Sequence, residues 1–187
     1  MNTRPNLDEY FMIIAKIVSI RSTCNSCHIG CVIVKDKQIL STGYNGALPG
    51  CKHCSSYYTQ SHMPFCVKRN MNIPHANKQN FCVVSHAESN AVSQAAKKGI
   101  SIDGSTIYCT LFPCYNCLKI MAIAGIKNIF YEYEYGSNND IRDKYWKNQV
   151  LNSGIKLEKF KIETNIIDTV IESLQYPTSK RRLKATK

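Results

Sequence analysis

A chain of 187 residues can bury one sizeable core and is short for two. Hydrophobic residues make up 44% and charged residues 20%, the balance of an ordinary globular protein. The 24 Lys and Arg against 13 Asp and Glu leave a formal charge of +11, which excludes a disordered acidic chain and suits an anionic partner such as a nucleotide, a nucleic acid or another phosphate compound.

In chain order, Leu7 to Arg21 carries apolar residues at Leu7, Tyr10, Phe11, Ile14, Ile17 and Val18, a spacing that predicts a first helix. Its longest apolar stretch, Phe11 to Ile20, is broken by Lys16 and falls short of the roughly 20 residues of a membrane span. Met1 to Pro5 lacks the basic-then-apolar pattern of a secretion signal, so a cytoplasmic location is expected. The segments from Gly30 to Val34 and from Gln38 to Gly43 read as strands joined by a tight turn at Lys35 to Lys37. From Asn45 to Ser85 no period is sustained, and Gly, Pro, His, Asn and Cys dominate. A loop of that length in a compact domain is either functional or held by something, and here the holders are cysteines and histidines.

Regularity returns at His86. Ala87 to Lys98 predicts a helix stopped by Gly99, Ser105 to Thr110 a strand, Tyr115 to Ala124 a helix stopped by Gly125, and Ile126 to Tyr133 a strand. Asp140 to Leu151 reads as a helix, Ile155 to Phe160 as a last strand, and Ile166 to Leu174 as a terminal helix capped by Asn165. The strand–helix–strand rhythm predicts an α/β fold with parallel strand pairs covered by helices. One domain over residues 1–176 is expected, with a disordered basic tail over 177–187 where Lys180, Arg181, Arg182, Lys184 and Lys187 lie.

The ten cysteines favour metal thiolates or buried thiols over disulfides in a reducing compartment. The strongest pattern is His86-Ala87-Glu88 followed by Pro113-Cys114-Tyr115-Asn116-Cys117. Cys114 and Cys117 have the spacing by which two thiolates at a helix start grip one tetrahedral zinc, and the helix dipole favours thiolate there. His86 opens another helix and completes three protein ligands, which leaves the fourth position of a catalytic zinc open. Glu88, two residues on, is placed beside that position as a proton carrier. Either half alone is a common motif; together, each at a predicted helix start, they form the H-x-E…P-C-x-x-C signature of zinc deaminases.

His86-Ala87-Glu88-Ser89-Asn90-Ala91-Val92 and Thr110-Leu111-Phe112-Pro113-Cys114-Tyr115-Asn116-Cys117 resemble the cytidine deaminase superfamily, and within it the deoxycytidylate (dCMP) deaminases. Gly43-Tyr44-Asn45-Gly46, Arg21-Ser22-Thr23-Cys24 leading into Ile29-Gly30-Cys31-Val32, and Ala124-Gly125-Ile126-Lys127 resemble the same family, so the likeness runs from residue 7 to 136. It implies a three-layer α/β/α fold around a mixed sheet of about five strands, and hydrolysis of dCMP to dUMP and ammonia with a catalytic Zn2+, supplying dUMP for thymidylate synthesis. It further implies that the backbone around Ala87 and Phe112 orients the base, that Asn45 meets the sugar and that Tyr135 lies near the nucleotide. Asn45 also fits a plain tight turn, and Tyr135 also fits strand packing after Tyr131 and Tyr133. A homohexamer with dCTP and dTTP as effectors is implied as well.

The resemblance extends to a second, structural Zn2+ with Cys24, Cys54 and Cys82 as ligands. The fourth is open among His75, Cys66 and His62, with His75 favoured. Such an ion would order the aperiodic loop, because metal binding supplies folding free energy; several free thiols are the alternative. Cys27, Cys31, Cys51 and Cys109 are left over, and Cys31 and Cys109 lie in strands, where cysteine acts as a small apolar residue. Where many members of the family carry one or two arginines after the equivalent of Cys24, this chain has Asn25, Ser26 and Cys27. Its phosphate contacts therefore come partly from elsewhere, with Arg21, Lys68 and Arg69, hydroxyls and backbone as candidates. Two other readings compete. One is a deaminase of a base in nucleic acid, like tRNA adenosine deaminases, which the charge suits but which lacks an aromatic-and-basic cluster in the sequence. The other is a non-enzymatic zinc-stabilised module that binds nucleotide or nucleic acid, for which Glu88 would have no use.

Overall fold

The computed structural model describes residues 4–56, 66–72, 74, 80–134 and 140–175. Helix α1 (Leu7–Ser19) starts at Asn6, whose Oδ1 accepts the Glu9 N–H (2.9 Å) while the Glu9 carboxylate accepts the Asn6 N–H (2.7 Å). This reciprocal cap satisfies two of the donors every helix start leaves open. Strand β1 (Gly30–Lys35) turns into β2 (Gln38–Tyr44) through Asp36 and Lys37, both at positive φ (51° and 62°), the two-residue geometry whose twist matches a hairpin.

The order in the main sheet is β2-β1-β5-β6-β7, with β5 (Thr106–Leu111), β6 (Asn128–Tyr133) and β7 (Lys156–Lys159). Strand β1 runs antiparallel to both β2 and β5, whereas β5–β6 and β6–β7 are parallel. The two faces follow from the alternation of side chains along a strand. Val32, Val34, Tyr108 and Phe130 meet α1 and α6 (Thr164–Gln175) on one side. On the other, Cys31, Ile33, Ile107, Cys109 and Ile129 meet α3 (Ala87–Lys97), α4 (Tyr115–Ile123) and α5 (Asp140–Asn152). The result is the expected three-layer α/β/α arrangement around a five-stranded mixed sheet. Cys31 and Cys109 stand opposite each other in register and are fully buried, as apolar fillers are.

Two glycines let helices approach the sheet. A Cβ on Gly43 would stand 2.1 Å from the Ala87 carbonyl oxygen and 2.6 Å from the Ala91 nitrogen, so α3 lies on β2 at backbone contact. Gly30 does the same for α1, where a Cβ would come 2.2 Å from the Ala15 oxygen.

The segment read as aperiodic holds more structure than its sequence predicts. Gly46–Ala47 (β3) pairs antiparallel with Val84–Ser85 (β4), Cys54–Ser56 forms a 3-10 turn, and Val67–Asn70 a short helix, α2. Helix α6 begins at Thr164, so Asn165 lies inside its first turn rather than capping it; the Asn165 carbonyl accepts from the Thr169 hydroxyl (2.8 Å). No helix among the described residues is long and apolar enough to cross a membrane.

Candidate active site

Strand β4 delivers His86 to the start of α3, and β5 delivers Cys114 to the start of α4. Both residues are N-caps with extended backbone, and neither side chain caps its own helix. They turn instead toward each other. His86 Nδ1 lies 3.3 Å from Cys114 Sγ and 3.5 Å from Cys117 Sγ. A tetrahedral zinc with Zn–N near 2.0 Å and Zn–S near 2.3 Å holds its nitrogen and sulfur ligands about 3.5 Å apart, so this donor set has the spacing the ion requires. Among the described residues, these three form the group whose ligand atoms all lie within 4.8 Å of one another.

The electrostatics agree. A hydrogen bond from Cys117, helped by His86, pulls the Cys114 thiol down to about 4, while the bond to Cys114 pushes Cys117 up. The same Cys114 contact raises His86 above the ordinary imidazole range. The lowered Cys114 thiol favours the thiolate form in which a metal ligand binds. The Ser89 hydroxyl lies 3.6 Å from Cys117 Sγ, a neighbour that the motif reading did not single out.

Glu88 sits in the first turn of α3 with 4% of its surface exposed. Burial raises its carboxyl above the ordinary carboxylate range, and the His86 charge opposes that rise. A buried carboxyl next to the ligand group is placed to hold and release a proton. Ala87 is fully buried against Gly43. Phe112 packs edge-on against Tyr131 (centroids 4.9 Å apart), and its N–H donates to the Tyr133 carbonyl (2.7 Å), so its backbone is fixed between β5 and β6.

Asn45 does more than turn the chain. Its Oδ1 accepts the Ile29 N–H (2.9 Å) and the Ser22 hydroxyl (2.7 Å), and its Nδ2 donates to the Cys27 carbonyl (2.8 Å). Buried to 4% exposure, it clamps the 22–29 segment to the end of β2. Tyr135, His75 and His62 lie outside the described residues.

The second cysteine group is more open: among the described residues, no three of its sulfurs lie within 4.8 Å of one another. Cys24, Cys54 and Cys82 line one cavity of about 20 Å³, and the fourth cysteine on its wall is Cys66. That volume is close to the space one water-sized sphere needs. The Cys54 thiol is pushed up first by burial and then by Cys24, Cys82 and Cys66. The sequence held Cys66 only as one of three candidates, because no local pattern ties it to residues 12 or more positions away.

The face of α4 and α5 carries a cluster that the sequence reading missed. Tyr115 stacks on Trp146 (6.2 Å), Tyr145 meets Trp146 edge-on, Lys119 Nζ lies 4.3 Å from the Trp146 centroid and Arg142 lies 5.1 Å from that of Tyr115. The α4 and α5 residues of each pair are 27 to 31 positions apart in sequence and meet only because the two helices pack side by side.

Residues 5–133 match the family model for the cytidine and deoxycytidylate deaminase zinc-binding region. The chain is 35% identical over 137 residues to the deoxycytidylate deaminase of Mycobacterium phage D29, covering 71% of this chain and 98% of that one. It is 34% identical over 171 residues to the deoxycytidylate deaminase of Enterobacteria phage T2, covering 77% and 87%. Among solved structures, it is similar to the dCMP deaminase from the cyanophage S-TIM5 in complex with dCMP and dUMP, with 31% identity, a TM-score of 0.62, and coverage of 84% of this chain and 98% of that one. The match takes in both helix starts and the sheet between them, and by it the chain belongs to the zinc-binding cytidine and deoxycytidylate deaminase family.

Proposed function

We propose that this protein is a hydrolase that converts dCMP and water to dUMP and ammonia. The observation that carries the reading is the buried Glu88 beside the His86, Cys114 and Cys117 group. Those three side chains would hold a Zn2+, which when bound would supply Lewis-acid activation of water near neutral pH. Glu88 takes the proton that water gives up and delivers it to N3 of the cytosine, which makes C4 electrophilic. The oxygen adds to C4, and Glu88 then takes the proton of the new C4 hydroxyl and passes it to the amino group, so that the C4–N bond breaks, a carbonyl forms and ammonia leaves. Burial suits this work, because a carboxyl with a raised pKa both accepts and returns a proton at neutral pH. Backbone around Ala87 and Phe112 orients the ring, and the hydrogen on Asn45 Nδ2 beyond its bond to Cys27 is directed to the sugar. Tyr135 is assigned to the nucleotide side.

A second, structural zinc would be held by Cys24, Cys54 and Cys82, with Cys66 on the same cavity wall as a candidate fourth ligand beside His75, which lies outside the described residues. What supports Cys66 is its position on the wall of the shared cavity. Residues 1–176 act as one deaminase domain with a zinc-ordered insertion at 45–85; the chain works as a cytoplasmic homohexamer, with dCTP and dTTP as effectors. A base in nucleic acid is the second reading, favoured by the aromatic and basic residues of α4 and α5.

An ammonia-release assay with dCMP, deoxycytidine, dCTP and a tRNA anticodon stem tests both. Release from dCMP well above the other three supports the proposal. Release confined to the anticodon stem replaces it with the second reading, and release from none removes both.

A further inference from the structure

We infer that Ser89 is a positioning residue of the metal centre, its hydroxyl donating to Cys117 Sγ and tuning the sulfur that meets the ion. This rests on the reading of His86, Cys114 and Cys117 as a zinc site.

The contact bridges two helices. Ser89 is the third residue of α3 and Cys117 the third of α4, and Ser89 Oγ lies 3.6 Å from Cys117 Sγ. Other serine hydroxyls of the chain serve their own turn of backbone: Ser19, Ser105 and Ser153 each donate to the carbonyl three residues earlier. The Ser89 hydroxyl reaches instead to a side chain 28 positions away.

Between a hydroxyl and a thiol either group can donate, so the contact alone has no fixed sense. A metal ion gives it one. A coordinating sulfur has lost its proton and only accepts, so the hydrogen comes from Ser89. Cys117 is 2% exposed, which leaves water little access to share that task. Cys114 stands at the cap of α4, where the helix dipole favours a thiolate, whereas Cys117 lies one turn further in. The Ser89 hydroxyl supplies Cys117 with the donor that its place in the helix does not. Two thiolates together cancel the charge of a divalent ion, and a hydrogen bond onto one of them draws part of that charge back. The same bond bears on geometry. Ser89 directly follows Glu88, and α3 is already pressed on β2 at Gly43. A tie from Ser89 to α4 therefore sets the helix of the proton carrier against the helix of the sulfurs.

The test uses the whole chain loaded with Zn2+ or with Co2+. Ser89→Ala should raise the dissociation constant of the Zn2+ at His86, Cys114 and Cys117 by about 10- to 100-fold in competition with a chelator. In the Co2+ protein, the difference spectrum between variant and wild type should show the sulfur-to-metal charge-transfer band moved to longer wavelength, because a thiolate without its hydrogen bond holds its electrons less tightly. Subtraction cancels any Co2+ held by the other cysteines. The kcat should fall as well, and Ser89→Thr, which keeps the hydroxyl, should restore all three readouts. A Ser89→Ala protein with wild-type Zn2+ affinity and an unmoved band overturns the inference and leaves the zinc reading standing, as does a Ser89→Thr protein that behaves like Ser89→Ala. A wild-type protein whose metal content is unchanged by Cys114→Ser overturns the zinc reading and this inference together.

Discussion

In the proposed reaction Glu88 serves turnover rather than ion binding, since its carboxyl stands beside the ligand group without belonging to it. Glu88→Gln keeps the shape and removes the proton carrier. Its kcat should fall by about 10²- to 10⁴-fold, while zinc content by atomic absorption stays at the wild-type level. A second residue-scale effect lies away from the chemistry. Tyr131 donates a hydrogen bond to Glu134 (2.9 Å), which together with Lys159 and Lys147 holds the Glu134 carboxyl below its ordinary range; burial and the same bond push the Tyr131 phenol up to about 12. A carboxylate with a lowered folded-state pKa adds stability above its unfolded value near 4.3 and loses it as the pH falls through the folded one. Tyr131→Phe should therefore be less stable than wild type at neutral pH, by under about 1 kcal/mol because Glu134 is half-exposed. The gap should close on acidification below about pH 4, as read by denaturant midpoints across pH. His86, Glu88, Cys114 and Cys117 were legible in the sequence because each motif is local and sits at a helix start that its own flanking residues announce. Cys66 was not singled out, since the cavity wall it shares with Cys24, Cys54 and Cys82 is formed by the fold alone.

At the level of elements, the sequence signalled every strand of the main sheet and all the long helices, with ends displaced by a residue or two. Strands β3 and β4 escaped because two residues display no period, and α2 because four display barely one turn. Asn165 misled because Asn is a common cap, yet the helix had already begun at Thr164. The Gly43-Tyr44-Asn45-Gly46 motif was read for Asn45, at the sugar or in a tight turn, while Gly43 is what admits α3 to β2. Gly43→Ala should push α3 outward, cost about 1–3 kcal/mol by overpacking, and lower activity further than stability because His86 and Glu88 ride on that helix. Thermal melts and kcat measured on the same preparation check this. For the second cysteine group, Cys54→Ser should lower bound zinc by about one equivalent per chain and increase proteolytic cutting between β3 and β4. One zinc per wild-type chain would refute the second site.

For the molecule as a whole, the outer surfaces of α4 and α5 leave Ile123 90% and Ile141 85% exposed, with Ile120 and Tyr145 close to half. Apolar side chains left that open on neighbouring helices suit a contact between copies of the chain. Ile123→Lys should shift the sedimentation of the protein from the proposed hexamer toward smaller species, whereas a wild type that sediments as one 21.2-kDa chain would refute the assembly.

The sheet order has a consequence for how the chain is made. Strand β5 lies between β1, which precedes it, and β6, which follows, and the Phe112 N–H just before the cysteine pair is held by the Tyr133 carbonyl of β6. During synthesis, His86 leaves the ribosome well ahead of the two sulfurs, and even after Cys117 has emerged the loop that bears Cys114 lacks its anchor until Tyr133 follows. A nascent chain halted at residue 120 would own every first-row ligand for the ion yet grip it weakly, and firm capture would coincide with the closing of the parallel pair.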